Sequence, residues 1–396
     1  MWMFLKSGES TRCSWKSANT EANELYSGRE RQRQEARTSE SSSLQRVMNT
    51  ADSAGPGSFE IAKAVNYSTH AIEDFRRLAG AMRSRAPGYS RTFSHLADML
   101  TRAVKFLLPN RCELLDPAAI GQPHLDLLKL PYPCVALEAS WYGDENVENL
   151  WGEQLGSATK RIALCWEAGA DPEPVQGLEG LLAHYPDGGV FVLPVYKAES
   201  QPTWIASHGF VFVPYENTVT PWLPEMMTAA SRIAADEKAG AGQIMKWSKS
   251  WTVEPFVLIP ESWPELIAHY GSKDRVLASI MNNAHDEVLM VVQACAVLNC
   301  ANVIETELQP PAKLNKNRRA RGKAPFFTYK VLSVDASPSQ QGRREQGGGT
   351  HASPRMHLRR GHLRRIPEGR MVWVRPTMVG SHGLVDKDYR IRPAQG

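Results

Sequence analysis

The sequence of 396 residues lacks the motifs of several common enzyme classes. It has no Walker A loop, no G-x-G-x-x-G fingerprint, no G-x-S-x-G elbow and no H-E-x-x-H pair, so nucleotide-dependent, serine-hydrolase and metalloprotease chemistry lack support. It also has no helix-turn-helix, zinc-finger or RRM signature. Any contact with nucleic acid would therefore come from charge and local structure rather than from a standard module.

Paired cysteines and long apolar runs are missing as well. No two cysteines form a C-x-x-C pair and most lie within apolar runs, which indicates buried thiols in a reducing compartment. No run of about 18 apolar residues exists, and the apolar start of the chain is too short for a signal peptide. We therefore expect a cytoplasmic protein without membrane contact. The six cysteines are Cys13, Cys112, Cys134, Cys165, Cys295 and Cys300.

Charge is distributed unevenly along the chain. Residues 1–50 hold 8 Lys+Arg against 6 Asp+Glu, residues 51–310 hold 19 against 31, and residues 311–396 hold 19 against 5. The balances of +2, −12 and +14 add up to the net charge of +4. A basic C-terminal part on an acidic body favours contact with a polyanion.

The first two segments differ in composition. Residues 1–56 are rich in Ser, Glu, Arg and Gln and cannot bury enough apolar surface to fold alone. They are either a disordered arm or a stretch upstream of a true start at Met48. Residues 57–110 carry two apolar stripes at helical spacing, the second running as far as Leu107. A Pro-Gly break separates the stripes, which predicts an antiparallel helical hairpin.

Residues 111–335 are predicted to form the α+β body of the protein. Four short apolar runs predict the strands of an antiparallel or mixed sheet, to which later runs add further strands. Ser262-Trp-Pro-Glu265 is a capping box, and Gly271 ends the short helix that follows it. Ser272 then caps a long helix that is apolar nearly all round and central to the core. The four runs are 134–138, 161–166, 189–196 and 209–214.

A basic loop is predicted within this body at residues 313–323. Its cations would neutralise phosphate charge, so binding to nucleic acid would weaken steeply with salt. Alternatively, the loop is an exposed basic turn that adds to solubility. An aromatic strand follows at residues 325–334, and residues 336–350 predict a flexible linker. The candidate nucleic-acid-binding residues of the loop are Lys316, Arg318, Arg319, Arg321 and Lys323.

The densest basic run lies in residues 351–396, which we predict to be a basic β-meander module. Met356–Ile366 is its first strand, Arg370–Arg375 the return strand and Leu384–Ile391 the third. We expect Trp373 to be a core anchor of the meander, with a base-stacking platform as the alternative. The candidate nucleic-acid-binding residues of the module are Arg355, Arg359, Arg360, Arg364, Arg365 and Arg375.

Two histidines of the first strand form a candidate catalytic pair. His357 and His362 are five residues apart and face opposite sides of a regular strand, but a β-bulge at Gly361 would place both on one face. They could then act as general base and general acid, with neighbouring arginines holding the phosphate, as in a metal-independent nuclease. A strand that alternates Arg and His is more often a phosphate-contacting surface without turnover.

Other chemistry has weaker support in the sequence. His351 and His382 would raise the number of nearby histidines to four, enough for zinc, but their spacing matches no familiar site and we expect no cofactor. Glu138 and Glu167 each end an apolar strand, where a catalytic carboxylate can lie. Neither has a partner in the sequence that would assign it a role.

The C-terminal third contains the motifs Asn315-Lys-Asn-Arg318, Gly322-Lys-Ala-Pro325-Phe-Phe, Met356-His357-Leu-Arg-Arg-Gly-His362, Trp373-Val and Lys387-Asp-Tyr389-Arg. With these motifs it resembles a group of uncharacterised bacteriophage and prophage proteins. Leu130-Pro-Tyr-Pro-Cys-Val-Ala-Leu-Glu138 in the body is similar too, and the whole covers about residues 58–392. The resemblance implies a phage or mobile-element origin, hence the host cytoplasm, and no particular mechanism.

The residues leave three functions open. The leading hypothesis is nucleic-acid binding, to RNA or DNA, in phage or prophage biology through the two basic segments. The first alternative is the metal-independent nuclease. The second is a protein-interaction factor that inhibits a host enzyme and grips an acidic partner surface with its basic tail.

Overall fold

The computed structural model describes residues 64–112, 114–141, 147–148, 154–155, 160–169, 178–198, 202–240, 249–301, 303–334, 357–359, 362–365, 370–374 and 377–379. The predicted N-terminal arm, the linker and the third strand of the meander lie outside these residues. The proposed domain boundaries stay predictions.

The described chain has an α+β fold. Its helices are α1 (Tyr67–Met82), α2 (Pro87–Arg102), α3 (Gln122–Leu125), α4 (Leu178–His184), α5 (Ala229–Gly240), α6 (Trp263–Tyr270), α7 (Lys273–Leu298) and α8 (Ala312–Ala320). Its strands up to residue 221 are β1 (Val104–Leu107), β2 (Cys134–Ser140), β3 (Val147–Glu148), β4 (Gln154–Leu155), β5 (Lys160–Glu167), β6 (Gly189–Lys197), β7 (Ile205–Ala206), β8 (Gly209–Pro214) and β9 (Thr220–Pro221). The later strands are β10 (Lys249–Ser250), β11 (Glu254–Val257), β12 (Val303–Leu308), β13 (Tyr329–Val334), β14 (His357–Arg359), β15 (His362–Arg365), β16 (Met371–Val374) and β17 (Thr377–Val379).

A nine-stranded mixed sheet forms the centre of the fold. The strand order is β11-β8-β6-β5-β2-β1-β13-β12, with β7 paired to β6. Strand β1 runs parallel to both of its neighbours, and the other pairs in this sheet are antiparallel. The predicted α+β class with a mixed sheet, a helical hairpin and a long helix is therefore confirmed.

Helices cover both faces of this sheet, and β5 shows why. Leu164 and Trp166 pack with the hairpin of α1 and α2, whereas Ala163 and Cys165 pack with α7 on the other face. Successive side chains of a strand point to opposite faces, so a strand that is apolar at every position needs cover on both sides.

The long helix α7 lies against the sheet over most of its length. The Ser272 hydroxyl accepts the backbone N–H of Arg275 at 3.2 Å, which confirms the predicted cap. A Cβ atom on Gly209 would lie only 2.4 Å from Cδ1 of Ile280 and 2.5 Å from the carbonyl oxygen of Phe256. Glycine at this position therefore lets α7 approach β8 closely.

Some local predictions are wrong. The second helix of the hairpin ends at Arg102, and Val104–Leu107 is the parallel strand β1 rather than a last helical turn. The Ser262 hydroxyl donates to the carbonyl of Ile259 instead of capping α6, although Gly271 does end that helix at φ 90°. Most of the predicted basic loop at 313–323 belongs to the helix α8, which begins at Ala312 and ends at Ala320. None of the helices in the described ranges combines the length and apolarity that a membrane span needs.

Candidate partner-binding surface

The basic C-terminal segment forms two short antiparallel ladders with one register. His357 pairs with Val379 and His362 pairs with Val374. Two residues, 360 and 361, separate the ladders on one strand, and two residues, 375 and 376, separate them on the other. A β-bulge would add a residue to only one of the two strands and make these numbers unequal. Gly361, where we predicted a bulge, lies outside the described residues, and the register of the flanking ladders gives that prediction no support.

The hairpin of β15 and β16 is fastened to the body of the protein. The backbone N–H of Ala301, just after α7, donates to the carbonyl of Met371 at 3.1 Å. Val372 is only 4% exposed, and Leu363 and Met371 pack against the hydrophobic cluster around α7. The hairpin is thus held in a fixed place rather than tethered only through a linker.

The side chains of Arg364 and Arg365 lie exposed on this fastened hairpin, as does that of Arg370 before β16. Of the other predicted residues of the module, His357 and Arg359 are strand residues of β14 and His362 is the first residue of β15. The remaining three, Arg355, Arg360 and Arg375, lie outside the described residues.

The second basic segment, α8, is held on the body by its polar face. The side-chain amide of Asn315 donates to the carbonyl of Phe326 at 2.9 Å and accepts its N–H at 2.7 Å. Arg318 donates from Nε to the carbonyl of Ala324 at 2.6 Å, pairs with Glu73 of α1 and stacks over the Phe326 ring at 4.2 Å. The guanidinium of Arg318 is thus bound within the protein.

The remaining cations of this segment face solvent. Asn315 and Arg318 are three residues apart and share the face of α8 that touches the body, which leaves the opposite face to other residues. The exposed members of the predicted set are Lys316, Arg319, Arg321 and Lys323.

Strand β12 separates the two basic elements. The hairpin is bonded at Ala301, just before β12, and α8 begins at Ala312, just after it. The six residues of this strand span five rises of about 3.3 Å, so its two ends are roughly 17 Å apart. A partner that touched both elements would need a footprint of ordinary interface size.

A buried carboxylate holds the helical hairpin on the sheet. Glu138 of β2 is fully buried and accepts the backbone N–H groups of Tyr67 and Ser68, each at 2.9 Å, at the start of α1. The phenol of Tyr329 donates to the same carboxylate at 2.7 Å. Burial raises the pKa of Glu138, and these hydrogen bonds oppose that shift. Glu138 therefore caps a helix, and the sequence alone offered no partner that would show this.

A second polar cluster joins β5 to α7. Arg161 Nη1 lies 2.7 Å from Asp286 Oδ2 and 3.6 Å from Glu287 Oε1, and its guanidinium stacks over Trp141 at 4.4 Å. Burial raises the pKa of Glu287 to about 7. Its second oxygen, Oε2, has no hydrogen-bond partner among the described residues. The described residues contain no group of His, Cys, Asp or Glu that could hold a metal ion.

These elements define an α+β protein that displays arginines and lysines on elements fixed to its body. The family model of the anti-CRISPR type V subtype A2 family, called AcrVA2-like, matches residues 111–381, more than half of the 396-residue chain. The chain belongs to this family. No curated protein and no solved structure matches it.

The family bears directly on the three hypotheses. Membership confirms the coarser expectation of a phage-associated protein, while the specific C-terminal motif stays a prediction. It favours the third hypothesis, a protein that inhibits a host enzyme, over nucleic-acid binding. It gives no support to a nuclease, so the catalytic roles of His357 and His362 stay predictions.

Proposed function

We propose that this protein inhibits a type V CRISPR system by binding the effector protein of that system. The observation that carries the proposal is the family match over residues 111–381. The exposed cations of the hairpin and of α8 are the proposed contacts, and an acidic surface of the effector is the proposed counterpart. Arginine suits this role because its planar guanidinium can bind a carboxylate through two parallel hydrogen bonds.

The way the hairpin is fixed supports this role. Ordering a flexible segment on binding opposes affinity, and a contact surface that is already positioned avoids much of that loss. The Ala301–Met371 hydrogen bond and the burial of Val372 hold Arg364 and Arg365 in place before any partner arrives.

Binding to the purified effector loaded with its guide RNA tests the proposal. Affinity would be measured for the full chain and for an Arg364→Glu/Arg365→Glu variant at two salt concentrations. The matched control is Lys273→Glu/Arg275→Glu, an equal charge reversal on two exposed residues at the other end of α7. We expect the hairpin variant to bind at least about tenfold more weakly, roughly 1.4 kcal/mol, with little change in the control.

Free guide RNA serves as a third analyte. If the chain binds free guide RNA as tightly as it binds the loaded effector, it acts by binding nucleic acid rather than the effector protein. Nucleic-acid binding was the leading hypothesis from the sequence. An unmodified chain that binds neither would contradict the proposed function.

A further inference from the structure

An exposed apolar loop lies outside the basic elements. Residues 216–227 read Glu-Asn-Thr-Val-Thr-Pro-Trp-Leu-Pro-Glu-Met-Met, and we call them the acidic–apolar loop. Met226 is 74% exposed and Leu223 is 40% exposed, although both are large apolar side chains. Two carboxylates and no basic residue occur in the loop. Exposed apolar side chains that stand together commonly mark a contact surface.

The base of the loop is clamped, so its tip is presented on a firm support. The side-chain amide of Asn217 donates to the carbonyl of Thr252 at 2.8 Å and accepts its N–H at 2.9 Å. Strands β9 and β10 pair beside this clamp. Gln122 of α3 accepts the N–H of Val219 at 2.7 Å and donates to the carbonyl of Asn217 at 2.9 Å.

Two acidic groups lie together at the start of the loop. The carboxyl groups of Glu216 and Asp187 are within hydrogen-bonding distance, and this contact raises the pKa of Glu216. Two like charges held together at the surface would be relieved by a cation from outside. The loop thus offers apolar contact next to a place for a basic side chain.

We infer that the acidic–apolar loop is a second contact of this protein with the type V effector. Its counterpart is an apolar pocket bordered by lysine or arginine. The inference rests on the proposed function. An RNA-guided effector holds its RNA–DNA duplex in a positively charged channel, so such a partner carries basic surface. A second copy of this chain docked loop to loop would bring the same carboxylates together, and anionic lipid would also be repelled, so charge favours a basic protein surface.

Residues 122–127 contact both the base of the loop and the end of α7 that precedes the attachment point of the basic hairpin. Gln122 binds the base of the loop, and the carbonyl of Leu127 accepts the side-chain N–H of Asn299 at 3.0 Å. Asn299 precedes Ala301 by two residues, and Ala301 binds Met371 of the hairpin. One partner could therefore reach both contacts. Its acidic groups would contact the hairpin, and its basic groups would contact the loop.

The test compares substitutions of exposed residues in the full chain. Binding to the guide-loaded effector would be measured for two loop variants, Leu223→Asp/Met226→Asp and Glu216→Lys. The control is Ile267→Asp on α6, another large apolar residue that is 38% exposed. We expect the first two variants to bind at least about tenfold more weakly and the control to stay within about twofold of the unmodified chain. Unchanged melting temperatures would show that each variant is folded.

The outcomes separate this inference from the proposed function. If the unmodified chain binds and both loop variants bind equally well, the loop is not a contact and the inference is overturned, while the basic surface stands. If the unmodified chain does not bind the effector, the proposed function and the inference both fail. Self-association of the unmodified chain that is lost in Leu223→Asp/Met226→Asp would show that a second copy occupies the loop and would also overturn the inference.

Discussion

The phenol of Tyr329 on β13 donates a 2.7 Å hydrogen bond to the buried carboxylate of Glu138 on β2, although β1 lies between these strands. The same carboxylate caps α1 through the N–H groups of Tyr67 and Ser68. Lys105 of β1 lies buried nearby and donates to the carbonyl of Thr101, near the end of α2, at 3.0 Å. The carboxylate of Glu138 thus lies at the N-terminus of α1, and the ammonium group of Lys105 lies at the C-terminus of α2. Each charge is of the sign that the helix dipole favours at that end.

Replacing Glu138 by alanine would leave two buried backbone N–H groups and the Tyr329 hydroxyl without an acceptor. We expect the free energy of unfolding to fall by on the order of 3–5 kcal/mol, because each orphaned buried donor carries its own penalty. Urea unfolding followed by circular dichroism measures this loss. Tyr329→Phe removes one donor and keeps the cap, so it should lose only about 1–2 kcal/mol. Equal stability of Glu138→Ala and the unmodified chain would show that the carboxylate does not hold α1.

Stability should depend on pH through Glu287. Burial raises its pKa from 4.5 to about 7 in the folded protein. Between these two values the folded state keeps a proton that the unfolded state has lost, so the free energy of unfolding falls as pH rises. The stabilising contribution of Glu287 to the free energy of unfolding is complete below about pH 4.5 and is lost above about pH 7.

A Glu287→Gln variant should therefore lose this part of the pH dependence. The free energy of unfolding of Glu287→Gln minus that of the unmodified chain should increase by on the order of 1–3 kcal/mol from pH 5 to pH 8. Urea titrations at each pH give this difference. Glu265→Gln, which changes an exposed carboxylate on α6, is the control. A flat difference for Glu287→Gln would mean that its carboxyl group titrates normally.

Arg318 and its neighbour Arg319 should behave in opposite ways. Arg318→Ala removes the contacts to Glu73, Ala324 and Phe326, so we expect a loss of about 1–3 kcal/mol in unfolding free energy. Arg319 is exposed, and Arg319→Ala should change stability by less than about 0.5 kcal/mol. Thermal unfolding of both variants measures the contrast. Equal effects of the two substitutions would contradict the docking of α8 through Arg318.

The sequence predicted the sheet well because its strands are marked by local composition. The runs at 161–166 and 189–196 are apolar at nearly every position and bounded by turn residues, which is typical of strands buried on both faces. The cap of α7 at Ser272 and the end of α6 at Gly271 were equally local features.

The parallel strand β1 could not be predicted in the same way. Val104 and Leu107 continue the three- and four-residue spacing of the stripe on α2, so periodicity alone extends the helix. What makes this segment a strand is pairing with β2 and β13, and β13 lies more than 200 residues later in the chain. A run of four residues carries too little pattern to reveal such distant partners.

The exposure of the candidate contact residues could be predicted only in part. Exposed cations at Arg364, Arg365 and Arg319 are apparent from composition, but the internal binding of Arg318 depends on Glu73, far away in the sequence. The acidic–apolar loop was missed because Trp222, Leu223 and Met226 look like core residues in the sequence. Only the exposure of Leu223 and Met226 in the folded chain distinguishes them from such residues.

Protection of a plasmid in cells that carry an active type V CRISPR system tests the central claim most directly. Transformation by a targeted plasmid would be counted with and without the unmodified chain, using an untargeted plasmid as reference. The proposed function predicts that the chain restores transformation towards the level of the untargeted plasmid and that Arg364→Glu/Arg365→Glu does so less. Full interference in cells that contain abundant, folded chain would contradict it.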